Sequence, residues 1–230
     1  MNKRAAGFTL LELLIGMLLA LITTLAMLTL YRQTARSLFH PEQGSASLAQ
    51  QDGQLMAALL SVQQQAQEAG FGAAGGRGQN LQLLSLSDLR VDADGTITAL
   101  SIAPAASGTA NAAAWRYRPS LDANAYACRG VASLGAAGQA STLYLLQADA
   151  CANLDDTLAQ ASQWRARALS SPLPARRRLS LELRLTQSCW PYAAATASQT
   201  YPLLLLNYRD TQRDEIRSFA SCLTNLADPT

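Results

Sequence analysis

The sequence is poor in the residues from which most chemical sites are built. Lys3 is the only lysine and His40 the only histidine, so arginine carries nearly all of the positive charge. One histidine cannot complete the usual Cys/His zinc sets, and none of the four cysteines lies in a Cys-x-x-Cys pair. No His-Glu-x-x-His metal motif and no Gly-x-Ser-x-Gly elbow occurs. The carboxylates are scattered, and Asp155-Asp156 reads as a solvated loop rather than an acid–base pair. No catalytic residue, metal or cofactor is expected, and the chain does not read as an enzyme. Charged residues make up only 15% and the formal net charge is +2, so bulk electrostatics imply no polyanionic partner.

Apolar length is what the chain has in plenty. From Phe8 to Tyr31 the residues are almost all apolar, about 24 of them, or roughly 36 Å as a helix, enough to cross a bilayer. A secretory signal fits poorly, because the run is too long and lacks a small-x-small cleavage site at its end. Charge does not orient the span: Lys3 and Arg4 precede it, Arg32 and Arg36 follow it. One residue is out of place. Glu12 lies inside the run, where an isolated carboxylate costs roughly 2.5–3.5 kcal/mol or more in lipid. The residue either snorkels to the headgroups or has a partner that repays its burial.

Gly7-Phe8-Thr9-Leu10-Leu11-Glu12, behind a short basic leader, resembles the prepilin signature of type IV pilins and type II secretion pseudopilins. The resemblance implies cleavage after Gly7 by a prepilin peptidase on the cytoplasmic face, and methylation of the Phe8 amine. Glu12 then becomes the fifth mature residue, and its implied partner is the N-terminal amine of a neighbouring subunit. Two opposite charges at about 4 Å attract far more strongly in a low-dielectric layer than in water. The implied place is a single pass of the inner membrane with a periplasmic head, then the pilus or cell surface. The implied partners are other pilins and minor pilins, the assembly platform and a tip adhesin, with adhesion and twitching motility as the setting.

Beyond Tyr31, His40-Pro41 predicts an interruption, since proline lacks a donor and restricts its predecessor. Leu48, Leu55, Leu59, Val62 and Ala66 then recur at helical spacing, with Gly70 as the stop. Gly16 in the apolar half weakens the helix there, or allows close packing. Gln51 to Leu55 and Gln67 to Gly72, with Ala69-Gly70-Phe71-Gly72 at the helix end, resemble the W-type minor pilins. Gln67 and Glu68 replace the arginine common before that turn. The J-type pseudopilins of the type II secretion pseudopilus tip are the competing family. Gly72 to Gly78 reads as a flexible connector, because the Gly-Lys-Ser/Thr ending of a phosphate loop is missing.

The remainder reads as β-structure. Leu179, Leu181, Leu183 and Leu185 alternate with polar residues, as in a half-buried strand. Leu143 to Leu146, Leu203 to Tyr208 and Glu215 to Leu223 are further strands, and Asp94-Gly95 suits a tight hairpin. Asp92-Ala93-Asp94-Gly95 is a fragment of a calcium loop without its closing glutamate, so a turn is expected instead. Stretches 103–114 and 148–163 read as long surface loops. Arg176-Arg177-Arg178 reads as a solvated strand entry; neighbours on a strand alternate faces, so the three do not make one DNA-binding patch. Nucleic acid is not an expected partner, and a DNA-uptake pilin is the lesser alternative.

Four dispersed cysteines beyond a membrane segment suggest disulfides in an oxidising compartment. Pairing neighbours in sequence gives Cys128–Cys151 and Cys189–Cys222, one of three connectivities. The expected organisation is a leader at 1–7, a membrane and filament-core helix at 8–38, an amphipathic helix at 39–71 and a disulfide-bearing β-rich head at 72–230. The expected fold class is α+β, a pilin-like lollipop with a mainly antiparallel head. The function implied is that of a minor pilin priming, capping or joining a type IV pilus.

Overall fold

The computed structural model describes residues 10–39, 44–105, 110–120, 122–135, 140–175, 177–186, 188–189, 199–211, 214–226 and 228–229. Their fold is α+β, a long N-terminal apolar helix followed by a mainly antiparallel β-domain. Two compact units divide between Asp52 and Gly53.

In the first unit, helix α1 runs unbroken over Leu10–Phe39. It passes through Gly16, where an added Cβ would meet nothing within 4 Å. No α1 residue is buried, and the helix is long and apolar enough to cross a membrane. The expected interruption at His40-Pro41 lies outside the described residues. Helix α2, Ser45–Ala66, begins in this unit and ends in the next.

Within the second unit, Leu55, Ala58, Leu59, Val62 and Ala66 form the buried stripe of α2 at the expected helical spacing. Gly70 (φ +77°) turns the chain, and its N–H donates to the Arg116 carbonyl at 2.9 Å. Arg118 N–H returns a bond to the Phe71 carbonyl at 2.8 Å. The Gly72–Gly78 stretch is not the free connector that its glycines predict. It leads into a short helix α3, Arg77–Asn80, and Asn80 is fully buried. The Asn80 Nδ2 donates to the carbonyls of Ala74, Gly75 and Gly76 at 3.3, 3.0 and 3.2 Å, while its Oδ1 accepts from Arg116 Nε at 2.9 Å. Arg116 also reaches the Ala74 and Ala152 carbonyls at 2.9 and 2.6 Å. The Arg116 bonds come from a residue distant in sequence, so local composition could not announce them.

The larger sheet contains β1 (Leu81–Val91), β2 (Ile97–Pro104), β3 (Ala112–Tyr117), β4 (Ala127–Leu134), β5 (Thr142–Ala148) and β6 (Arg165–Ala168). Its order is β2-β1-β3-β4-β5-β6 with every neighbour antiparallel. Asp94-Gly95 makes the β1–β2 turn. Asp94 accepts from the Thr96 N–H and hydroxyl at 3.0 and 2.9 Å, which holds its carboxyl below the ordinary range. The two ends of this sheet meet. Ile97 N–H donates to Trp164 C=O at 3.2 Å and Ala166 N–H to Gly95 C=O at 2.7 Å, with Thr96 bridging Arg165. The sheet therefore rolls toward an open barrel.

Stretches 103–114 and 148–163 are not simply surface loops. β3 is a central strand, and Ala112, Ala113, Ala114 and Trp115 are fully buried. Helix α4, Leu154–Leu158, lies in the second stretch and buries Leu154, Thr157 and Leu158. Alanine is a weak strand former by composition, yet here it lets chains approach closely. A Cβ on Gly130 of β4 would lie 2.7 Å from the Ala113 carbonyl. The strand period sorts β3 into two faces. Ala112 and Ala114 join Leu84, Leu86, Leu146, Leu154 and Trp164 in one cluster. Ala113, Trp115 and Tyr117 join Leu55, Leu59 and Val62 of α2 in the other.

The smaller sheet completes that second cluster with Leu181, Leu204, Leu206 and Tyr208. It comprises β7 (Arg177–Thr186), β8 (Gln199–Asp210), β9 (Glu215–Cys222) and β10 (Asp228–Pro229). β8 pairs with β7, β9 and β10, all antiparallel. The arginine run departs from expectation at its middle member. Arg177 is 2% exposed and lies 3.5 Å from Asp210, itself 4% exposed, across the β7–β8 ladder, where Arg177 and Asp210 are register partners. Arg178 is exposed, as strand alternation requires, and Arg176 lies outside the described residues.

Candidate processing and assembly site

Gly7 and Phe8, the expected cleavage and methylation positions, lie outside the described residues. Glu12 stands in the first turn of α1 and is exposed. It is the one acidic residue of the helix, and a carboxylate near a helix N-terminus is favoured by the exposed N–H groups there. The threonine hydroxyls of α1 are absorbed locally. Thr23 and Thr24 hydroxyls donate to the Ala20 carbonyl at 2.9 Å, Thr29 to Ala26 at 2.8 Å and Thr34 to Leu30 at 2.9 Å. Hydroxyls tied to their own helix remain compatible with a lipid or protein interior. Up to Tyr31, α1 has no other ionisable side chain apart from that tyrosine. Charge in this stretch is thus concentrated at one point.

Two disulfides are present. Cys128 of β4 joins Cys151, with Cα atoms 5.5 Å apart, and Cys189 joins Cys222 at the end of β9, with Cα atoms 5.7 Å apart. A concavity of about 400 Å³ lies beside the second, lined by Gln63 and Gln64 of α2 and by Gln67 just beyond it, together with Leu203 and Ala220. Its lining includes no charged side chain. Among the described residues no group of three or more His, Cys, Asp or Glu is placed to hold a metal ion. Sequence reasoning missed the Asn80–Arg116 network and the buried Arg177–Asp210 pair. A polar residue just after a glycine-rich stretch was the one available hint of the former.

Residues 2–28 match the family model described as the prokaryotic N-terminal methylation motif. That span includes Gly7, Phe8, Glu12 and α1 as far as Leu28. No curated protein and no solved structure matches the chain. The motif, the apolar helix behind it and the disulfide-bearing antiparallel domain support a type IV pilin or pseudopilin-like protein. Such a motif points to a structural protein, membrane-anchored, processed by prepilin peptidase and assembled with other pilins. Minor pilins and pseudopilins have these features in common.

Proposed function

We propose that this chain is a minor pilin, built into a type IV pilus after removal of residues 1–7. The observation that carries the reading is the methylation motif leading into a helix whose single carboxylate is Glu12. Cleavage after Gly7 leaves a positive amine on Phe8 at the membrane boundary. Glu12 of one subunit then accepts the Phe8 amine of the next, so the two buried charges are paired across the subunit contact in the filament. Removing one partner of such a pair leaves the other buried alone, which costs about 3–5 kcal/mol. The Ala69-Gly70-Phe71-Gly72 turn, whose residues resemble those of the W-type minor pilins, joins the chain after α2 to Arg116 of β3 and to Arg118 just beyond it.

The test is the amount of the chain in sheared filaments relative to membranes, for wild type and Glu12→Leu at matched expression. Leucine improves the transmembrane segment. The expected result is normal cleavage and membrane retention, with a large fall in incorporation. Equal incorporation removes the pairing role. A wild-type chain absent from filaments but needed for protein secretion moves the assignment to a pseudopilin.

A further inference from the structure

Cations are placed unevenly along the first third of the chain. After Lys3 and Arg4 there is no lysine or arginine until Arg32 and Arg36, and none again until Arg77. Both arginines belong to α1, which has no acidic residue after Glu12. Positions four apart on an unbroken helix share a face, so the two guanidiniums stand one turn apart on the same side. Both side chains are exposed, and neither makes an ion pair or hydrogen bond among the described residues. The hydroxyls nearby turn back on their own helix, Thr34 to the Leu30 carbonyl at 2.9 Å and Ser37 to the Thr34 carbonyl at 2.8 Å. Arg36 lies in the last turn, where a cation complements the exposed carbonyls. That effect fades within one turn, so it does not account for Arg32.

Depth supplies the reason for the pair. From Leu10 to Leu30, α1 measures about 31 Å, close to the ~30 Å of a bilayer's hydrocarbon. With Leu10 at one boundary, Tyr31 stands at the other, where aromatic rings are favoured, and it is 73% exposed. Arg32 and Arg36 then fall about 1.5 and 7.5 Å beyond Tyr31 along the axis. A headgroup layer about 5–8 Å thick takes in both.

We propose that Arg32 and Arg36 together hold the phosphate of an anionic phospholipid, in the leaflet from which α1 leaves the membrane toward α2. Guanidinium forks donate in pairs to phosphate oxygens, which fits two of them on one face of a helix at headgroup depth. A headgroup of net negative charge is preferred to a zwitterionic one, because α1 has no carboxylate there to balance the arginines. Glu12 is about 30 Å away along the helix. Each arginine near an anionic surface gains roughly fivefold in affinity, and the pair about 25-fold. The proposal rests on the membrane anchor alone, so it holds for a pilin and for a pseudopilin.

The experiment uses the full chain in nanodiscs of equal parts phosphatidylglycerol and phosphatidylcholine. A photo-reactive p-benzoylphenylalanine in place of Gln33, beside the pair, should form lipid adducts whose headgroups are read by mass spectrometry. Phosphatidylglycerol should exceed phosphatidylcholine in those adducts by about tenfold or more. Arg32→Gln with Arg36→Gln should bring the ratio close to one. Arg32→Lys with Arg36→Lys keeps the charge and should keep a clear preference, which separates loss of charge from a change in the helix. Absence of lipid adducts, a ratio near one in the unsubstituted pair, a ratio unchanged by the glutamines or lost with the lysines, or adducts chiefly with a second chain would overturn the proposal. Extraction of the chain from its host membrane by alkaline carbonate instead defeats the anchor reading on which it rests.

Discussion

Gly70→Ala tests whether the turn after α2 is as tightly determined as its geometry implies. Two costs add. Gly70 has φ +77°, where an L-residue is disfavoured by about 1–2 kcal/mol. A Cβ there would overlap Leu226 Cδ2, stand 2.7 Å from Leu226 Cγ and lie 3.1 Å from the Asn225 carbonyl. Overpacking of that kind costs about 1–3 kcal/mol, since Leu226 is buried and the carbonyl is backbone. The sum is roughly 2–5 kcal/mol of lost stability. Denaturant unfolding of the full chain in detergent, followed by tryptophan fluorescence, reads it out, because Trp115 and Trp164 are fully buried. Leu226→Ala alone should cost about 2–5 kcal/mol by leaving a cavity. In the double variant the clash is gone while the backbone strain stays, so the two costs should fall short of additivity by about 1–3 kcal/mol. A single-variant cost under about 1 kcal/mol, or strict additivity, refutes the steric reasoning.

Other perturbations are simpler. Gly7→Val should block leader removal, because a branched Cβ stands where the peptidase needs a slim backbone; intact mass then shows a chain that retains residues 1–7. Non-reducing peptide mapping should recover Cys128–Cys151 and Cys189–Cys222, and a Cys128–Cys222 peptide contradicts the pairing. Replacing Cys128 and Cys151 together by alanine should cost about 3–4 kcal/mol, the chain-entropy value for a closed loop of this length. Arg177→Ala should cost about 3–5 kcal/mol by leaving Asp210 buried without its cation, whereas Arg177→Met with Asp210→Leu should recover most of that stability.

The parts of the fold that were legible in advance are those where one face meets water and the other does not. Leu179 and Leu181 alternate with exposed Arg178 and Ser180 because that part of β7 has an exposed outer face, whereas Leu185, expected on the buried face, is 54% exposed. The stripe from Leu55 to Ala66 likewise has one buried face, with a period of 3.6. β3 was illegible for the opposite reason. Both of its faces are covered, so nothing alternates, and its alanines match the composition of a loop. Arg177 was misread because charge ordinarily predicts exposure, while its partner Asp210 comes from another strand, 33 residues later. At the N-terminus Glu12 stood out because an apolar segment makes any carboxylate conspicuous.

The way α2 is closed off has a consequence for the order of events during synthesis. Gln63 binds the Ala220 carbonyl across 157 residues, and Asn225 Nδ2 donates to the Gln67 carbonyl across 158. Leu226 fills the space over Gly70. The ribosome therefore delivers α2 long before the residues that cover its end. At about 5–20 residues per second, some eight to thirty seconds separate the two. For that interval Leu55, Leu59 and Val62 lack the Leu223 and Leu226 side of their packing, in a chain whose apolar anchor has already been made. A nascent subunit is thus a sticky one until its last strand arrives. Any holding factor that acts on it has to do so in that interval, and a ribosome stalled before residue 220 leaves a chain that cannot close.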